Sequence, residues 1–174
     1  MKVKGPNITL RDMEKSDIAN KVKWFNDPVV NKTLLMDGPL DLQKSFEWFD
    51  KSRSDRSRSD FVIETNDGLP LGNISLVHIS EIHKTAEIYI VIGQKEYWGK
   101  GIMLEAERLI IEWAFNSLKL EKIRADAVAN NIASIITMKK LGFQIEGTLR
   151  KERYQNGRRI DVLRLGLLKE DFKK

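Results

Sequence analysis

The chain has 174 residues, with 41% hydrophobic and 32% charged side chains, a net charge of +5 and no cysteine. This suits one domain with a full-sized core and excludes disulfides, thiolate metal sites and a cysteine nucleophile. Two histidines, His78 and His83, are too few for a histidine-built metal site. No apolar h-region opens the sequence and no apolar run approaches about 20 residues, so the expected setting is the cytoplasm, without metal or membrane contact.

Ile8-Thr9-Leu10-Arg11 reads as a strand. Ser16 offers a cap to a helix carrying Ile18, Ala19, Val22 and Phe25 at helical spacing, and Pro28 stops it. Asp41 caps a second helix carrying Phe46, Trp48 and Phe49; Trp24, Trp48 and Phe49 are expected mostly in the core, one of them as a candidate wall of an acceptor pocket. Lys51 to Asp60 alternates Ser with charge and predicts a solvated, mobile loop rather than an RNA-binding arginine-serine segment. Three antiparallel strands follow: Phe61 to Thr65, Leu71 to Ile79 after the Asn66-Asp67-Gly68 turn, and Thr85 to Ile92.

The period then changes. Leu104, Ala106, Leu109, Ile110, Trp113 and Ala114 share a helical face. Ile123, Ala125, Ala127 and Ala129 alternate as a strand, and Ile132 to Lys139 predicts a helix ended by Gly142. Phe143 to Leu149 and Ile160 to Leu168 close the chain as strands. A strand, helix, strand unit in the middle requires one parallel pair within a mixed sheet.

Chemistry concentrates at Tyr97-Trp98-Gly99-Lys100-Gly101-Ile102-Met103, between a strand and a long helix. Two glycines let the backbone turn tightly, and the helix start adds N–H groups and a positive dipole end, an arrangement suited to a pyrophosphate. Alone, the G-x-G is equally a tight turn that binds nothing. A Rossmann loop would need a third glycine and a βαβ setting, which this segment lacks.

Several runs together resemble the GNAT acetyltransferase superfamily: Ala86-Glu87-Ile88-Tyr89-Ile90-Val91-Ile92-Gly93, the Tyr97 to Gly101 loop and Glu105-Ala106, then Asn131-Ile132-Ala133-Ser134, Lys140-Leu141-Gly142-Phe143 and Glu146-Gly147. Trp24-Phe25-Asn26-Asp27-Pro28-Val29 and Asn156-Gly157-Arg158-Arg159-Ile160-Asp161 are similar to its branch of ribosomal-protein N-terminal, polyamine and amino-sugar acetyltransferases. The resemblance implies a single domain over 1–174 with an α/β (α+β) fold. It comprises a mixed, mostly antiparallel sheet of six to seven strands and about four helices. It implies acetyl transfer from acetyl-CoA, with no metal, to a small-molecule amine or a protein N-terminus, without nucleic acid or membrane, and it allows a homodimer.

By the same resemblance, Ile90, Val91, Ile92, Trp98, Gly99, Lys100, Gly101, Ile102, Met103, Asn131 and Ser134 contact the cofactor, and the backbone around Ile90 to Ile92 supplies N–H donors to the thioester oxygen. Asn131 or Ser134 equally caps the following helix. Lys139 and Lys140 read as a solvated face or as a ribose-phosphate contact. Glu87 is the candidate catalytic base, since an ammonium has to lose its proton before attack; a surface or ion-paired glutamate is the alternative. Trp98 stands where the family usually has Gln or Arg, and Met103 where it has Gly or Ala. Met138 stands where many relatives carry a tyrosine that protonates the departing thiolate; a thioether cannot do so. A catalytically weak acyl-CoA-binding module is therefore the competing reading.

Overall fold

The computed structural model describes residues 2–32, 34–35, 38–155 and 157–173. Among these, eight strands form one open sheet in the order β1-β2-β3-β4-β5-β6-β8-β7. In chain order they are β1 (Lys2–Lys4), β2 (Ile8–Asp12), β3 (Ser59–Thr65), β4 (Pro70–Ser80), β5 (Thr85–Ile92), β6 (Lys122–Val128), β7 (Gln144–Gln155) and β8 (Arg158–Leu168). The helices are α1 (Ile18–Asn26), α2 (Pro28–Asn31), α3 (Leu42–Ser52), α4 (Ile102–Asn116) and α5 (Ile132–Leu141).

The expected six to seven strands and about four helices thus become eight and five among the described residues. The added strand is β1, whose Lys-Val-Lys sequence has no apolar alternation and is held by antiparallel pairing to β2. The added helix is α2: Asp27 accepts from the N–H groups of Val29 and Val30, and Pro28 begins a new short helix at its first turn. Ser16 is not the cap of the first helical segment. Glu14 and Asp17 form a reciprocal capping box there instead, and Asp17 also receives two bonds from Arg11.

The expected mobile loop at 51–60 is largely built into neighbouring elements. Lys51 and Ser52 end α3, and Ser59 and Asp60 begin β3. Between them Asp55 accepts from the N–H and hydroxyl of Ser57, and Arg58 holds Asp60 through two bonds. Local ion pairing orders a stretch whose composition alone predicts disorder. Asn156, in the Asn156 to Asp161 run, lies outside the described residues.

The sheet carries one large core and two smaller clusters, the second of the smaller ones formed by Met13, Ile18, Phe49 and Val62. Ile88, with Ile90 and Ile92 partly buried, packs with α4 and α5 in the larger core. Val91 and Tyr89 alternate to the other face and pack with Trp24, Phe25, Val30 and Leu34 from the α1–α2 region. Gly93 ends β5 under Trp24. A Cβ there would come within 2.0 Å of the indole, so only glycine allows α1 to lie this close.

Candidate active site

All strand pairs are antiparallel except β5 with β6, as the strand, helix, strand unit requires. That parallel pairing covers only Thr85, Ala86 and Glu87 against Lys122, Ile123 and Arg124. Beyond it β5 stays with β4 while β6 stays with β8, so the sheet splits. A cavity of about 780 Å³ fills the split, within the size range of small-molecule sites.

The open edge of β5 has a definite polarity. Gly93 N–H donates to Leu71 C=O on the β4 side. The register with β4 is unbroken from Gly72 to Val77, so alternation turns the backbone N–H and C=O of Ile92 and Ile90 toward the split and those of Val91 toward β4. The Ile92 carbonyl accepts from Trp98 Nε1 at 2.8 Å. The Ile90 N–H on this edge faces the cavity without a strand partner.

Two helix N-termini close the other side. Gly99 and Gly101 have φ of +73° and +80°, which lets the loop reverse into α4. The first bond of α4 runs from Glu105 N–H to Gly101 C=O, leaving the N–H groups of Ile102, Met103 and Leu104 at the positive end of a 15-residue helix. Asn131 caps α5 by accepting from Ser134 N–H at 3.3 Å. Lys140, on the same helix, lines the cavity. This combination fits a pyrophosphate.

The cavity brings together Ile90, Val91, Ile92, Trp98, Gly99, Gly101, Ile102, Met103, Asn131 and Ser134 from the expected set. Trp98 takes part through its indole, because its backbone N–H is already given to Lys95 C=O. Lys100 does not line the cavity; its Nζ lies 5.1 Å from the Tyr97 ring centroid. Glu87 also lies outside the lining, at the closed end of the split, with its carboxylate 3.5 Å from His78 Nδ1. It shares a sheet face with Tyr89, two residues on. The 51–60 segment lines a separate cleft with Lys44, Glu47 and Trp48, whereas Val29, Val30, Lys32, Leu34 and Leu35 supply part of the wall of the main cavity.

Two lining residues carry no signal in the sequence. Asp126 on β6 accepts from Arg164 Nε at 3.0 Å and Nη2 at 2.9 Å, which raises the guanidinium pKa. Tyr89 looks like any aromatic in an alternating strand, yet its hydroxyl is buried and finds no hydrogen-bond partner among the described residues. Burial pushes its phenol above the ordinary tyrosine range, so it stays protonated, a hydrogen-bond donor and not a base. Three other lining residues carry a hydroxyl: Thr137 donates to Ala133 C=O, Ser134 sits at the α5 start, and Tyr97 lies in the loop. Met138 is 4% exposed and lines the cavity as a core thioether.

Residues 7–144 match the family model described as acetyltransferase (GNAT) domain. The spermidine N(1)-acetyltransferase of Escherichia coli K12 is 29% identical over 166 residues, covering 95% of this chain and 88% of that protein. The putative ribosomal N-acetyltransferase YdaF of Bacillus subtilis is 36% identical over 106 residues, covering 61% of this chain and 57% of that protein. The crystal structure of spermidine N-acetyltransferase from Vibrio cholerae in complex with CoA and spermine superposes with a TM-score of 0.91 at 26% identity, covering 96% of this chain and 98% of that one.

Proposed function

This chain belongs to the GNAT acetyltransferase family and is an acetyl-CoA-dependent N-acetyltransferase, and from that premise we propose how its cavity works. The α4 and α5 N-termini hold the CoA phosphates. The pantetheine arm lies along the open β5 edge, and the amine enters from the face covered by α1 and α2. The observation that carries this reading is the split itself: two helix N-termini on one side meet a strand edge whose Ile90 N–H points into the opening.

The amine attacks the thioester carbon, and the carbonyl oxygen gains negative charge. Ile90 N–H donates to that oxygen, a contact stronger in the transition state than in the ground state. The amine loses its proton to Glu87 through intervening solvent, because Glu87 stands at the closed end of the split rather than on its wall. The Asp126 oxygens are engaged by Arg164 and serve to hold the β6–β8 side of the opening. Tyr89 supplies the hydrogen bond that Met138 cannot, donating its O–H to the leaving sulfur, while the proton that Glu87 takes from the amine passes through solvent to the departing thiolate, which restores Glu87 for the next turnover.

The relatives named for spermidine favour a small-molecule amine over a protein N-terminus as acceptor. A buried phenol with nothing to donate to argues against the binding-module reading, which rested on Met138 and Met103. The test is release of CoA thiol from acetyl-CoA across a panel of primary amines. Glu87→Gln is expected to lower turnover about tenfold to a hundredfold, the low end of base removal because water shares the task, with acetyl-CoA affinity held. An unchanged rate from pH 6 to 9 removes Glu87 from the mechanism. Acetyl-CoA that neither binds nor is consumed defeats the whole reading.

A further inference from the structure

The acceptor end of the cavity carries its charge in two tiers. On the cavity wall Asp126 binds Arg164, and Glu87 and Glu152, outside the lining, lie within electrostatic reach of the same guanidinium. Arg124 pairs in register with Glu87 on β6. Carboxylates outnumber guanidiniums at this level, and an incoming ammonium is attracted there.

The rim is different. Among the described residues lining the cavity, Asp126 is the only carboxylate, while Lys32, Lys140 and Arg158 are cations. Lys140 belongs to α5 and the phosphate side. Lys32 follows α2 and Arg158 opens β8, both on the acceptor face. Both are exposed, and neither makes an ion pair among the described residues. Tertiary structure brings them together. Gln155 Nε2 donates to Leu34 C=O at 3.4 Å; Gln155 is the register partner of Arg158, and Lys32 lies two residues before Leu34.

A linear polyamine would place its distal ammonium against these two cations while its proximal end met the carboxylates. Like charges oppose that arrangement, so the rim selects against it. We infer that the acceptor is an amine that also bears an anionic group, a phosphate or a carboxylate, with the amine directed to Tyr89 and Glu87 and the anion held by Lys32 and Arg158. This rests on the acetyl-transfer reading of the same site and narrows its substrate class away from the polycations acetylated by the named relatives.

The test compares glucosamine 6-phosphate, β-alanine, glucosamine and spermidine, with acetyl-CoA saturating, in the parent and in the Lys32→Glu, Arg158→Glu double variant. The two anionic arms distinguish phosphate from carboxylate. In the parent, the better anionic amine exceeds spermidine in kcat/KM by about tenfold, since two exposed pairs contribute a few-fold each. The gap narrows as salt is raised. In the double variant the order reverses, with the KM for acetyl-CoA unchanged. Spermidine as the best parent substrate, or an order unaltered in the variant, overturns the inference. Calorimetric titration of the same amines into the CoA complex separates the two levels. If no amine is turned over but the anionic ones bind preferentially, the transfer reading fails and the charge reading stands. Equal signals for anionic and cationic amines, including no signal from either, overturn the charge reading.

Discussion

Tyr89→Phe should move stability and activity in opposite directions. The Tyr89 hydroxyl is buried without a partner among the described residues, and a buried donor left unpaired costs about 1–3 kcal/mol. The ring itself is packed against Phe25, with centroids 6.1 Å apart and planes at 46°, a contact that phenylalanine keeps. Deleting the oxygen therefore removes a penalty and leaves the packing. For a domain of this size, about 2–4 °C in Tm follows each kcal/mol, so the ligand-free variant is expected to melt a few degrees above the parent. Turnover should fall about 10²-fold or more, the usual cost of losing a positioned donor or acid, while the acetyl-CoA Kd changes little. Thermal melts without ligand and steady-state CoA release measure the two arms. A variant that melts lower and turns over as fast as the parent would show that the hydroxyl supports the fold and takes no part in the reaction.

Gly101 tests the phosphate cradle in two steps: it has φ +80° and open space where a Cβ would sit, so Gly101→Ala meets only the left-handed backbone cost of about 1–2 kcal/mol, whereas Gly101→Glu also sets a negative charge at the α4 N-terminus. The glutamate variant should bind acetyl-CoA at least about tenfold more weakly than the alanine variant, since anions at a helix N-terminus oppose a bound phosphate; equal calorimetric affinities of the two would place the phosphates elsewhere. Glu107 is fully buried in α4 with both oxygens unpartnered among the described residues, and burial pushes its carboxyl up to about 8. The folded state then holds a proton that the unfolded state gives up from about pH 4.5, so stability falls as pH rises from there to about 8 and levels beyond it. Tm measured from pH 5 to 8 should decline in the parent and stay flatter in Glu107→Gln; parallel curves would mean that Glu107 is not the group titrating.

Local pattern determined most of the elements. β5 runs from Thr85 to Ile92 as its alternation predicts, and Gly142 ends α5 in the left-handed conformation at φ +103°. Asp41 caps α3 through Lys44 N–H, again as its residue type predicts. The split in the sheet was not legible, because β5 and β6 each read as an ordinary strand and only their tertiary partners, β4 and β8, draw them apart. For the same reason the sequence pointed to the glycine loop, which is contiguous, but not to the unpartnered Tyr89 hydroxyl or to Lys32 and Arg158 lining one cavity, which depend on chain segments far apart. At 51–60 composition rightly predicted a solvated segment for 53–57, which are exposed turn and coil, but not its ends, where Arg58 and Asp60 close on each other and Arg58 lies 4.6 Å from the Trp48 ring centroid.

The pairing of Met138 with Tyr89 follows from the geometry of the split. A strand whose side chains alternate between two faces sends Ile88, Ile90 and Ile92 to the helices on the cofactor side and Tyr89 to the face where the acceptor enters. Where β5 separates from β6, both faces open onto one cavity, so a donor need not come from α5 to reach the thioester. Met138 instead completes the apolar core beneath α5, where a phenol would need a partner that nearby apolar side chains do not provide. The alternation that turns the Ile90 N–H into the split sends the Tyr89 side chain to the opposite face, so on the proposed mechanism β5 alone carries both the donor to the carbonyl oxygen and the donor to the sulfur. On the proposed mechanism the donor to the sulfur belongs to the strand that positions the thioester, so its alignment depends on the β4–β5 register rather than on the packing of α5 against the sheet.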